Sequence, residues 1–342
     1  MKTKQNLKVS WWNFLIIIIS ITVLWTPNLV NSQAKPITLK FSHQFPQQDG
    51  LSIAATYWAD LIEKRTEGRV KFQHFYASSL VKPPQVFDAL RMGVTDAGWA
   101  AISFMTGKVP DTAVLELQDA IPIDKLVEVY EKIGPILAEI FEKNGIKYLW
   151  GPYQGVQLYV AKNKFLKSTA DFKGVKMRAA GLGIVKSFEL WGASPLFLDV
   201  TELYTALQRG TVDGANMLYT ITKSLKIYEV APYITDCGWY VSNFVYVAIN
   251  MDRWNSISKG DQKIMIEAGH EALLNSYKFV MKLDSDIKNE FKAMKDVHIF
   301  DMPNEDGFRL LKMTAPLWDE VRKKAGPLGN QMIDILLKYR RW

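Results

Sequence analysis

From residue 37 to residue 150, two hydrophobic rhythms take turns along the chain. Residues 37–43 (ITLKFSH) alternate apolar and polar, the period of a strand with one buried face. Residues 51–67 instead carry Ile53, Tyr57, Trp58, Leu61 and Ile62 at helical spacing, and Gly68 stops the helix. Residues 69–76 return to a strand pattern, Pro83-Pro84 opens a helix to residue 92, and 95–101 form a short apolar strand. A helix over 126–144, closed by Gly145, and a strand at 146–150 follow. From Gln157 the pattern restarts: strands at 158–161, 175–178, 195–198 and 212–216, with helices over 184–191 and 201–209. The β-branched run 240–250 reads as a long strand returning to the first unit, and helices over 259–295, 305–323 and 331–339 complete the chain.

Strands alternating with helices predict an α/β fold with mostly parallel sheets covered by helices. Two such units predict two lobes. The first spans 35–155 and is completed by about 242–300, the second spans 156–241, and helices at 301–342 pack across both. The expected architecture is two-lobed, with crossing strands joining the lobes. Its ligand cleft lies between the lobes, at the carboxyl ends of the strands.

The first 34 residues change where this fold is expected to work. Lys2, Lys4 and Lys8 precede an almost wholly apolar stretch from Trp11 to Trp25, and Ser32-Gln33-Ala34 supplies small residues for cleavage. This is the layout of a secretory signal peptide, and the apolar run is shorter than the roughly 20 residues a spanning helix needs. Removing it deletes three lysines and no acid, so the formal net charge falls from +7 to +4. Basic and acidic residues interleave along the helices, the pattern of a solvated face and not of a nucleic-acid stripe. Cys237 is the single cysteine. It excludes an internal disulfide, and its apolar neighbours predict a buried, inert thiol.

Chemistry is sparse. His43, His74, His270 and His298 are scattered, with no spacing that would make a metal site, and neither a G-x-S-x-G elbow nor a Walker sequence occurs. No metal and no cofactor are expected. Gly181-Leu182-Gly183 opens a helix after a strand, but Lys186 stands where a dinucleotide fingerprint has its third glycine. That helix N-terminus suits a carboxylate better than a pyrophosphate. Arg178, which closes an apolar strand, has two readings: a donor fork for a ligand carboxylate, or a structural partner of Asp199 or Glu202.

The run K-G-x-K-x-R at 173–178, then Pro195-Leu196, then E-L-Y-x-A-L-Q-x-G-x-x-D-G at 202–214, resembles the extracytoplasmic solute-binding subunits of TRAP transporters, the DctP type. Residues 55–80 (with T-x-G-R-V) and 89–98 (ALRMGVTDAG) resemble the same family in the same order. The resemblance implies that Arg178 makes the main salt bridge to a ligand carboxylate, with Asn216 and Tyr219 as hydrogen-bonding candidates. Trp99, Trp239 and Met217 would shape apolar walls, His43 and Gln44 would close the pocket from the first lobe, and Gln157 also lines it. After the Asp213-Gly214 step the chain reads Ala215-Asn216-Met217, neither the Q-E-N of sialic-acid-type members nor the E-W of keto-acid-type members. The strand beginning Gln157-Leu158-Tyr159-Val160 lacks the second arginine of the sialic type.

The reading that follows is a periplasmic receptor, not an enzyme. It captures a small organic acid, a monocarboxylate with an apolar or aromatic body, and delivers it to TRAP membrane permease subunits. A monomer is expected, with a dimer open, and no nucleic acid. An α/β oxidoreductase or hydrolase would need an acid–base pair that no spacing supplies. A sensory receptor reporting to a membrane kinase would bind the same ligand.

Overall fold

The computed structural model describes residues 36–342 apart from residues 120 and 239–243. The lysine-led segment 1–34 and Trp239 lie outside the described residues. Among the described residues, eleven strands form two sheets. In chain order they are β1 (Ile37–Ser42), β2 (Val70–Phe75), β3 (Ala97–Ala101), β4 (Ile146–Trp150), β5 (Gln157–Ala161), β6 (Lys176–Ala179), β7 (Ser194–Phe197), β8 (Gly214–Leu218), β9 (Tyr233–Asp236), β10 (Val245–Asn250) and β11 (His298–Asp301).

The first sheet has the order β2-β1-β3-β10-β4 and the second the order β11-β9-β5-β8-β6-β7. β1 is parallel to β2 and β3, whereas β10 runs antiparallel between β3 and β4. In the second sheet β6 is parallel to β7 and β8, and β5 is antiparallel to β8 and β9. The chain therefore passes from the first sheet to the second after β4 and back again before β10.

Local chemistry sets the helix ends. Asp49 caps the helix Gly50–Arg65, its carboxylate accepting from the Leu51 N–H at 3.0 Å. Gly68 and Gly145, both at positive φ, turn the chain after their helices into the next strand. The helix Lys259–Ala293 has 35 residues, about 52 Å at 1.5 Å per residue. It packs against Gly50–Arg65 and β4 on one side and reaches the helix Tyr219–Ser224 and β11 on the other. Trp58, fully buried, donates its indole N–H to the Met265 carbonyl at 3.2 Å and fixes the first of these contacts.

Two features depart from the expected pattern. The helix expected over 305–323 is two, Asn304–Lys312 and Ala315–Lys324. Pro316 has no N–H to give to a preceding turn, so the helix restarts around it. β9 and β11 were not foreseen, being four-residue strands (YITD and HIFD) too short for a periodic signal. Cys237 is buried and its thiol pKa is raised by that burial.

Candidate functional site

A cavity of about 70 Å³ lies between the two sheets. The first sheet's side supplies Gln44 and Phe45 beyond β1, Trp99 and Ala101 from β3, and Ser103 and Phe104 just after it. Gln154 and Gln157 come from the crossing segment before and at the start of β5. The second sheet's side supplies Arg178 and Ala180, Asp199 and Val200, and Asn216, Met217 and Leu218.

Arg178 is the basic residue of this wall and is 6% exposed. Its Nε donates to the Leu198 carbonyl at 2.9 Å, which pins the guanidinium at the end of β6. Burial lowers its pKa to about 10 and nearby Asp199 offsets part of that, so the group stays charged. Among the described residues no carboxylate comes within 4.0 Å of it. Asp199 instead caps the turn Val200–Glu202, accepting from the Thr201 N–H at 2.9 Å and the Thr201 hydroxyl at 2.7 Å. The structural ion pair with Asp199 or Glu202 is therefore not formed. A buried cation with no carboxylate in contact is costly, and four of its five donors remain to be used.

The polar groups around it share this condition. Gln44 Nε2, Ser103 Oγ, Gln154 Nε2 and Asn216 Oδ1 are buried without a hydrogen-bond partner among the described residues. Each such group costs about 1–3 kcal/mol, and four on the wall of one cavity is a concentration that calls for a guest. Gln157 is partly satisfied, its Nε2 donating to the Leu158 carbonyl at 2.9 Å. Phe45 and Trp99 meet edge to face at 5.4 Å and form one apolar wall.

Of the residues expected at the site, Arg178, Asn216, Met217, Trp99, Gln44 and Gln157 come together on this wall. His43 and Tyr219 do not. His43 lies behind Trp99, whose indole N–H donates to its Nδ1 at 3.2 Å. Because an indole nitrogen only donates, His43 carries its proton on Nε2 and gives it to His74 Nδ1, 2.8 Å away. Burial first, and His74 second, lower the His43 pKa to about 3, so the ring is neutral. Tyr219 donates to Asp236 Oδ2 at 2.8 Å, within an ionic cluster that Lys288 joins at 2.5 Å. The helix N-terminus at Gly181–Gly183 is also turned away from any ligand: the Gly183 N–H donates to Glu116 Oε2 at 2.8 Å.

Gln154, Ser103 and Phe104 were missed. Ser103 and Phe104 come one residue after a strand buried at every position, where a polar residue marks the chain's exit toward the cleft. Gln154 stands in the Gly-Pro-Tyr-Gln-Gly link between two strands, a place with no periodic signal.

The sequence profile of the bacterial extracellular solute-binding protein family 7, DctP, matches residues 41–324, which include the whole cavity wall. The chain belongs to this family. It is thus an extracytoplasmic solute receptor of the TRAP type. The 2,3-diketo-L-gulonate-binding periplasmic protein YiaO of Escherichia coli is 24% identical over 308 residues, covering 88% of this receptor and 87% of that protein. The monocarboxylate 2-oxoacid-binding periplasmic protein of Nostoc sp. is 28% identical over 249 residues, 70% of this receptor and 67% of that protein. Among solved structures, the TRAP periplasmic solute binding protein of Desulfovibrio salexigens with bound orotic acid superposes with a TM-score of 0.81. It shares 23% identity, covering 88% of this receptor and 98% of that chain.

Proposed function

We propose that the receptor captures a small monocarboxylate with an apolar or planar body in the cavity between its sheets and hands it to the TRAP permease subunits. The observation that carries this reading is Arg178: a buried, charged guanidinium with no carboxylate within 4.0 Å among the described residues. A ligand carboxylate supplies the missing counter-charge and takes the guanidinium's two-pronged donor face. Several features favour one carboxylate over two. Arg178 is the single arginine or lysine among the described wall residues, and Asp199 on the same wall would repel a second acid. Phe45, Trp99, Phe104 and Met217 suit an apolar or flat remainder, and Gln44, Ser103, Gln154 and Asn216 suit its polar edge. The orotic acid and 2-oxoacid ligands named for two relatives are monocarboxylates, which agrees with this class.

On this reading the exported chain is trimmed after Ala34 and works as a monomer. Closing the two sides over the ligand by a hinge motion prepares the form that docks on the permease. A thermal-shift screen of organic acids tests the proposal. A ligand at about 100 times its Kd adds roughly 2.7 kcal/mol of stability. Monocarboxylates with cyclic or apolar bodies are expected to raise Tm, and a panel in which only dicarboxylates or neutral sugars do so would overturn the ligand class.

A further inference from the structure

The helix Leu182–Leu190, which follows β6 of the second sheet, begins against a side chain from the other side of the cavity. Glu116 ends the turn segment Pro110–Glu116, which follows β3 of the first sheet, and is 2% exposed. One carboxylate oxygen accepts from the Thr106 hydroxyl on its own side. The other accepts the Gly183 N–H at 2.8 Å from the opposite side. Among the described residues no lysine or arginine lies within 4.0 Å of this carboxylate, so the helix's first N–H groups are its counter-charge. Space at the contact is minimal. A Cβ on Gly183 would sit 2.8 Å from the Glu116 carbonyl oxygen, and one on Gly181 would sit 2.7 Å from Ser103 Cβ. Both glycines have backbone angles that other residues adopt, so closeness of approach and not φ is what excludes a side chain here. Phe104 and Phe197 make a second contact across the cavity mouth, edge to face at 6.4 Å.

We infer that Glu116 is the clasp between the two sides of the cavity, a positioning residue that holds the turn after Arg178 against the first sheet's side in the closed arrangement. The purpose of the clasp rests on the cavity being the ligand site. Ala180, on the held turn, and Ser103, beneath it, are both wall residues, so the clasp fixes the wall next to the guanidinium. Opening the cavity withdraws Gly183 from Glu116. It leaves a carboxylate that water must solvate and a helix start without its acceptor. The exposed ion pair between Lys186 and Glu320 at 2.5 Å also ties this helix down, but exposed pairs hold weakly. The buried contact decides the balance between open and closed.

The test needs no ligand, so its failure is separate from failure of the ligand assignment. Nitroxide labels at Lys82→Cys and Glu202→Cys, both exposed beside the cavity mouth, report the distance across it by pulsed dipolar spectroscopy. The parent protein is expected to populate a short distance alongside a longer, open one. Glu116→Ala and Gly183→Ala should each move the distribution to longer distances, while Glu116→Gln, which keeps an acceptor oxygen for Gly183, should stay near the parent. Gly183→Ala guards against a folding defect in Glu116→Ala, because alanine is the better helix former and only the collision with Glu116 opposes it. Distributions for Glu116→Ala and Gly183→Ala that superimpose on the parent would overturn the inference. So would an opening of equal size in Glu116→Gln, which keeps both bulk and an acceptor oxygen and would therefore make the charge, not the acceptor, responsible.

Discussion

Arg178→Met separates holding a ligand from holding the fold, because the structure predicts opposite signs for the two. The guanidinium is buried and, among the described residues, has no carboxylate within 4.0 Å and makes one hydrogen bond, to Leu198. The fall of its pKa from 12.5 to about 10 corresponds to about 3 kcal/mol of cost to the charged form at 1.36 kcal/mol per tenfold. The lost hydrogen bond to a charged donor is worth about 1.5–3 kcal/mol. Methionine fills similar volume without charge, so the two effects roughly cancel and Tm without ligand should stay level or rise slightly. Ligand binding behaves differently. A carboxylate left in the cavity without its guanidinium is a buried ion with its partner removed, which costs about 3–5 kcal/mol, or on the order of a thousandfold in Kd. Arg178→Lys restores the charge without the planar fork and should recover part of that loss. Calorimetric titration with the acid that gives the largest thermal shift, beside a ligand-free melt of each variant, reads both quantities. A lowered ligand-free melt with unchanged affinity would refute the reasoning and return Arg178 to a structural role.

The remaining predictions concern charge, the cavity wall and export. His43 has its pKa lowered to about 3, so between roughly pH 6.5 and 3 the unfolded chain takes up a proton that the folded one refuses and stability falls with pH; His43→Leu should flatten that limb in urea melts taken from pH 7 to pH 4. Asp284 works in the other direction: burial raises it to about 8, so its penalty grows as pH rises from about 4 to 8. Asp284→Asn, which keeps an acceptor for the Val156 N–H, should stabilise the receptor at pH 8 by more than at pH 5, and equal effects at both would refute this. Gln154→Ala should weaken ligand binding by roughly tenfold, one hydrogen bond's worth, without lowering Tm; unchanged affinity would remove Gln154 from the site. N-terminal sequencing of exported protein should find a start at or near Lys35, and an intact Met1 would contradict cleavage.

How much of this could be read in advance depended on the kind of signal each residue sends. β4 was expected at 146–150 and lies there, whereas Arg178, a charge at the end of an apolar strand, left a structural ion pair and a ligand anchor equally open until the K-G-x-K-x-R resemblance favoured the anchor. The neighbours His43 and Gln44 show where such reading stops. Successive residues of an extended chain point to opposite faces, so placing both at the cavity conflicted with the alternation that identified the strand. Gln44 takes the cavity side, and His43 turns inward to support Trp99. Tyr219 follows β8 closely enough to suggest the site, but its hydroxyl finds Asp236, a partner that only the tertiary fold brings near. The same holds for Glu116, whose meeting with Gly183 spans 67 positions of sequence and has no local pattern to announce it.

The placement of β10 bears on how the molecule is made. In the first sheet β3 and β4 do not touch; β10 is wedged between them and hydrogen-bonds to both. About a hundred residues separate β4 from β10, and they include most of the second sheet. During synthesis or translocation the first sheet thus waits, with two unpaired edges, until residue 250 has emerged. Such non-local pairing is slow to form, and bare strand edges invite association with other chains. A protein stopped short of β10 would not be half a receptor but a sticky fragment, which gives a physical reason for such a chain to cross a membrane unfolded and to complete its first sheet only afterwards.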